Sequence, residues 1–278
     1  MAWKNFIRDL SVNTQASTLV IQSHREPIPA GWLNTCMSSV RHWAKLNEFE
    51  YRFIGDELFD ALPPSLRVKT QAQIVIATDL ARLIAIQNHL NEGFETVIWC
   101  DADFLIFSPS ALIVPSLDFL PEGYALGREV WVQARQDNPR QLQAHVKVHN
   151  AFMLFRRENS FLDFYADNAA RLLQKITGPM PPQFIGPKLL TAIHNVIQCP
   201  VIETAGMLSP LVMLDLFSCT SSCTSSCTPK GPALDLFKKR SKQLVAGANL
   251  CSSLVDKSLP DGAIEAVINL LLTYGKCI

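Results

Sequence analysis

A short apolar run without alternation, Thr96-Val-Ile-Trp-Cys100, leads directly into Asp101-Ala102-Asp103. A strand with one wet face alternates apolar and polar residues. One with neither face polar must be covered on both sides. The chain therefore needs a central sheet with layers above and below it. The supply of apolar side chains, 48% of 278 residues, is ample for that core.

The surrounding pattern fits. Residues 17–23 and Glu50–Ile54 read as strands, with a helix over Trp32–Leu46 between them. Ile74–Leu90 reads as a largely buried helix stopped near Gly93. Later strands are expected over Tyr124–Val130 and Asn150–Phe155. Later helices are expected over Phe161–Ile176, Pro187–Val196 and Gly262–Tyr274. Strand and helix alternate in the first half, which predicts an α/β fold: a mixed, mostly parallel sheet flanked by helices. The second half is looser. We read residues 1–278 as one domain, with a low-complexity Cys/Ser/Thr insertion at 218–229.

Acidic and basic residues balance at 25 each. Nucleic-acid binders are normally basic, so no nucleic-acid partner is expected. The N-terminal segment has no apolar core of signal-peptide length, and no run reaches the 18 residues of a membrane span. The expected location is cytoplasmic, which leaves peripheral membrane contact open. The eight cysteines lack the spacing of a disulfide framework, and most are read as reduced. Cys219, Cys223 and Cys227 offer no clear fourth zinc ligand unless Cys199 or Cys251 supplies it.

The chemistry centres on Asp101 and Asp103. Ligands of open α/β sheets sit beyond the carboxyl ends of the strands. Two carboxylates meeting there repel unless a cation or proton offsets them. A hard cation, Mn²⁺ or Mg²⁺, suits carboxylates plus substrate phosphates. The bland alternative is an acidic turn. Asp79 and Arg82, three apart, share a helix face in apolar surroundings. They form either a surface ion pair or a grip on a polar ligand. His149-Asn150 opens an apolar strand and could meet a ligand or simply close a turn. Gly186-Pro187 precedes a helix whose N-terminus could face an anion. Trp32, Trp43 and Trp131 read as core or rim residues. His42, His89, His145 and His194 read as structural or exposed.

Four segments, TDLARL, EGFETVIWCDADFLIF, HNAFMLFRRENSFLDFY and FIGPKLLT, together resemble bacterial glycosyltransferases of the GT-A fold. They look most like the capsular-polysaccharide and mannosyltransferase-like group, with its D-x-x-R and D-x-D. The resemblance runs from about residue 17 to 215. It implies a Rossmann-like nucleotide-sugar fold and a UDP- or GDP-sugar donor. The acceptor would be a saccharide or another hydroxyl compound. It implies that Asp79 and Arg82 contact the donor sugar. It also implies that Asp101 and Asp103 bind the metal, with the diphosphate and ribose close by. Ala102, Gln22, Ser23, His149, Asn150, Gly186 and Pro187 would complete the donor site.

Two departures stand out. That group often supplies a C-terminal His, Asn or Ser to the metal, and no histidine follows His194 here. The Cys-Thr-Ser-Ser tract has no counterpart. A non-catalytic nucleotide-sugar binder is therefore the first alternative. A nucleotidyltransferase is the second, although the sequence after Ser23 is His-Arg-Glu-Pro and not a Gly-rich phosphate loop.

Overall fold

The computed structural model describes residues 17–220, 229–251, 259–275 and 278. The elements run β1 (Thr18–Ser23), α1 (Gly31–Leu46), β2 (Glu50–Ile54), α2 (Pro64–Thr70), α3 (Ile74–Asn91) and β3 (Thr96–Cys100). Then come β4 (Phe104–Ile106), β5 (Tyr124–Ala134), β6 (Leu142–Arg156), α4 (Ser160–Lys175), α5 (Pro187–Ile197) and β7 (Val201–Ile202). The last are β8 (Ala205–Met207), α6 (Pro210–Thr220), α7 (Pro232–Arg240), β9 (Gly247–Asn249) and α8 (Ala263–Tyr274).

The main sheet has six strands in the order β2-β1-β3-β6-β5-β7. Only β6 runs against the others. A second sheet of three short strands, β4-β9-β8, lies beside it. This is the mixed, mostly parallel α/β arrangement that the strand–helix alternation predicts.

The apolar run at β3 has a simple cause. Val97 and Trp99 pack with Leu80 and Leu83 of α3 and Leu162 and Tyr165 of α4. Ile98 and Cys100 point the other way, onto Val40 and Trp43 of α1 and Phe104 of β4. Both faces are dry, so neither can be polar. Each large side chain buried here contributes about 2 kcal/mol of transfer free energy.

α1 buries one stripe, Trp32, Cys36, Val40 and Trp43, and the Asn47 amide closes its C-terminal end by donating to the Trp43 carbonyl at 2.8 Å. α4 opens on Asn159, whose side chain accepts from the Leu162 N–H at 3.1 Å. β5 and β6 extend well beyond the apolar segments foreseen at 124–130 and 150–155. Their outer halves carry Gln, Arg, Lys and His, yet pair in continuous register from Gly127↔His149 to Ala134↔Leu142. Trp43 is fully buried in the core and Trp32 nearly so.

Among the described residues, no helix is long and apolar enough to cross a membrane. Cys36, Cys100, Cys199 and Cys251 are unbridged thiols. Cys219 is buried near the end of α6, whereas Cys223 and Cys227 lie outside the described residues.

Candidate active site

Asp101 follows the last residue of β3, at the carboxyl edge of the main sheet. Its backbone is pinned from two sides. The Asp101 N–H donates to the Ala151 carbonyl at 2.9 Å, and the Gln22 amide donates to the Asp101 carbonyl at 3.0 Å. Gln22 in turn accepts from the Tyr51 hydroxyl at 3.1 Å and is fully buried. It therefore braces the turn.

The Asp101 carboxylate is held by its neighbours. Oδ1 accepts from the Trp99 indole N–H at 2.7 Å and from Arg82 Nη1 at 2.9 Å. Among the described residues, both side-chain hydrogen bonds to this carboxylate fall on Oδ1. Arg82 is itself buried. Its Nη1 also donates to the Asn150 carbonyl at 2.9 Å, and its Nη2 lies 3.3 Å from Asp79 Oδ1. The Trp99 ring lies 5.3 Å from its guanidinium carbon. Asn150 Nδ2 donates to Asp79 Oδ1 at 2.8 Å, whereas the buried Asp79 Oδ2 has no hydrogen bond among the described residues. Burial raises the Asp79 pKa, against the pull of Arg82 and Asn150. Burial also pushes Asp101 up, to about 6, reinforced by Asp103 and opposed by Arg82 and Trp99.

These residues share one cavity of about 330 Å³. Asp79, Arg82, Asp101, Asp103, Asn150 and Pro187 all line it. Gly186, at the N-terminus of α5, stands against Asp79: a Cβ there would lie 2.5 Å from Asp79 Oδ2. Ser23, Gln22, Ala102 and His149 are not among the lining residues. Ala102 packs into the apolar core with Trp32 and Leu33.

His149 is fully buried behind the cavity wall. Its Nδ1 accepts from the Ala151 N–H at 3.1 Å, which makes Nε2 the donor to the Ala205 carbonyl at 3.3 Å. Gly127 gives the ring its space, since a Cβ there would lie 2.1 Å from the imidazole. Burial holds the His149 pKa down at about 4, and the Ala205 and Gly206 carbonyls only partly counter this. The unfolded chain protonates this histidine near pH 6.5 and the native state does not. Stability should therefore fall as pH drops from 6.5 to 4, by about 3 kcal/mol from this residue. Urea melts of wild type and His149→Gln across that range test this. Identical pH slopes for the two proteins would remove the assignment.

No protein-family model matches the sequence, and no curated protein matches it either. Similar solved structures include a glycosyltransferase involved in the glycosylation of the major capsid of PBCV-1. It is 10% identical over 90% of this chain and 98% of that one, with a TM-score of 0.43. Mouse xyloside xylosyltransferase 1 is 13% identical over 86% of this chain and 98% of its own, with a TM-score of 0.37. A 4-diphosphocytidyl-2C-methyl-D-erythritol synthase from Anaerococcus prevotii is 8% identical over 67% and 86%, with a TM-score of 0.29.

The site also contains residues that the sequence did not single out. Asn249, at the end of β9, donates from Nδ2 to Asp103 Oδ1 at 2.6 Å. Its Oδ1 accepts from the Cys251 N–H at 2.8 Å, which fixes the orientation of the amide. The Leu250 N–H donates to the Asp103 carbonyl at 3.0 Å. The short second sheet thus grips Asp103. Glu129, Trp131, Gln133 and Lys147 form a further wall of the cavity.

A divalent cation fits this lining on charge grounds. Four carboxylates, from Asp79, Asp101, Asp103 and Glu129, face two cationic side chains, Arg82 and Lys147. No group of three His, Cys, Asp or Glu among the described residues could hold a metal alone. The protein would offer Asp101 and Asp103, and substrate oxygens the rest, as is usual for Mg²⁺. Asn249 turns its amide N–H to Asp103 and its Oδ1 to the Cys251 N–H, so it would orient the Asp103 carboxylate.

Proposed function

We propose that the chain is a metal-dependent glycosyltransferase built on a single GT-A-like domain. It moves a sugar from a UDP- or GDP-sugar to an acceptor hydroxyl. The observation that carries this reading is the cavity at the carboxyl edge of β3, where Asp101 and Asp103 are braced by Arg82, Trp99 and Asn249. That edge is where open α/β sheets bind ligands, and the uncompensated negative charge calls for a cation.

In this reading Asp101 and Asp103 hold Mn²⁺ or Mg²⁺. The cation supplies charge stabilisation to a leaving diphosphate. Asp79, which lines the same cavity, stands beside the donor sugar. Arg82 keeps Asp79 and Asp101 ionised and in place, because its guanidinium bridges them. Asn150 sets the Asp79 carboxylate through its amide.

Thermal melts with UDP, GDP, CDP and ADP, each with Mn²⁺ and with chelator, test the donor site. One nucleotide at a hundred times its Kd should add about 2.7 kcal/mol, or roughly 5 °C, and only with the metal. A flat panel would defeat the proposal. Release of pyrophosphate from a nucleoside triphosphate and a sugar phosphate would redirect it to nucleotidyl transfer.

Asn249→Ala checks the grip on Asp103. Loss of a group that orients a metal ligand typically costs 10- to 100-fold in metal affinity. Manganese titrations of the nucleotide-dependent melt should move by about that factor. An unchanged midpoint would leave Asn249 with a purely structural part.

A further inference from the structure

The donor reading leaves one wall of the cavity unused. Beyond the bulge between Leu126 and Gly127, β5 and β6 continue as a two-stranded ribbon. Side chains alternate across a strand, so Glu129, Trp131 and Gln133 share a face. The register sets Lys147 opposite Glu129, and all four line the cavity. The reverse face carries Val130 and Val132, which pack into the core with Val212 and Leu216 of α6 and Leu234 of α7. Burial of that face turns the polar one toward the cavity.

Glu129 is the unusual member. It is 7% exposed, yet the Lys147 ammonium, its ion-pair partner, lies 3.8 Å away. No hydrogen bond satisfies its carboxylate among the described residues, and burial raises its pKa. A carboxylate withdrawn from water in this way gains from any hydroxyl that donates to it. Trp131, half-buried beside it, offers an indole surface. Glu129 lines the same cavity as Asp101, Asp103 and Cys251.

The charge on this wall selects the ligand class. Glu129 and Lys147 stand opposite each other and cancel, so this wall presents no net charge to pair with a charged ligand. A neutral ligand with many hydroxyls and an apolar C–H face suits an indole, a carboxylate, an ammonium and an amide together. We infer that the Glu129–Trp131–Lys147 face is the acceptor subsite, and that it takes a neutral saccharide. Trp131 carries the apolar face of the sugar, and Glu129 and Lys147 bind its hydroxyls. The word acceptor rests on the glycosyl-transfer reading, but the saccharide site itself does not.

Calorimetric titration with maltose, lactose, cellobiose and α-1,2-mannobiose tests it, with and without Mn²⁺ and the stabilising nucleotide. At least one disaccharide should bind wild type. Trp131→Ala and Glu129→Gln should each weaken it at least tenfold, while Trp131→Phe stays within threefold. The Phe and Gln variants preserve bulk, so they keep the test decisive if Trp131→Ala fails to fold. Wild type binding none of the four sugars, or binding unaltered in Trp131→Ala and Glu129→Gln, would overturn the subsite. Nucleotide binding without sugar binding would sink this inference alone. Sugar binding that needs Trp131, without any nucleotide binding, would keep the subsite and sink the donor reading.

Discussion

Arg82→Met should lower the unfolding free energy by about 3 to 5 kcal/mol, the usual result of leaving buried charge unpaired. Met fills much of the same volume, so the loss is electrostatic and not a packing defect. Arg82 is 5% exposed and Asp79 2%, and the guanidinium serves Asp79, Asp101 and the Asn150 carbonyl at once. Without it, Asp79 retains one amide donor from Asn150, and its Oδ2 has no hydrogen bond among the described residues. Its carboxyl, raised by burial even with Arg82 present, should then take up a proton. The double variant Asp79→Asn/Arg82→Met removes the stranded charge and should recover a substantial part of the loss. Denaturant melts of the single and double variants measure both effects. A single variant as stable as wild type would mean that the triad is not electrostatically coupled.

Asp103→Ala should behave differently, with a smaller loss of stability, about 1 to 3 kcal/mol from the Asn249 amide left without its acceptor, and a collapse of metal-dependent transfer. Asp103 lies on the cavity wall, so truncation opens space without creating a closed void. What goes is one of two carboxylates proposed for the cation, together with the acceptor for the Asn249 amide. A metal bound at a leaving group contributes several kcal/mol to the barrier, and about 4 kcal/mol is three orders of magnitude in rate. Turnover of the donor found by the nucleotide panel should therefore fall about 10³-fold, and the Mn²⁺-dependent melting shift should vanish. A fully active Asp103→Ala enzyme would end the metal assignment. Equal loss of stability and activity would make Asp103 a structural residue.

The central part of the fold was legible because its patterns are strong. β3 announces itself as five residues without alternation, and α3 as a long apolar periodicity; whether its Asp79 and Arg82 formed a surface pair or a site was open in the sequence, and the structure buries both. The convergence of Asp79, Arg82, Asp101, Asp103 and Asn150 follows from three elements that the sequence marks clearly. The second sheet was not legible. β4, β8 and β9 have three residues each, too few to show a period, and β9 is Gly247-Ala-Asn249, with little strand propensity. Asn249 was hidden for that reason. The faint signal available was a lone polar residue between Ala248 and Leu250. The ribbon beyond Val130 was not foreseen, because Gln133, Gln143, His145 and Lys147 interrupt the apolar pattern. Only the burial of Val130 and Val132 on the reverse face shows why it is a strand. Gln22, Ala102 and His149 were named as donor contacts by position in a motif. Position fixed the neighbourhood, but each side chain points into the scaffold.

The grip of Asn249 on Asp103 spans 146 residues of chain, whereas Arg82 reaches Asp101 across 19. During synthesis the two halves of the site are therefore separated in time. At 5 to 20 residues per second, Asp103 waits roughly 7 to 30 seconds for its amide to be made. A ribosome paused in that interval holds a chain in which Arg82 and Asp101 have both been made and the amide that clasps the second aspartate has not.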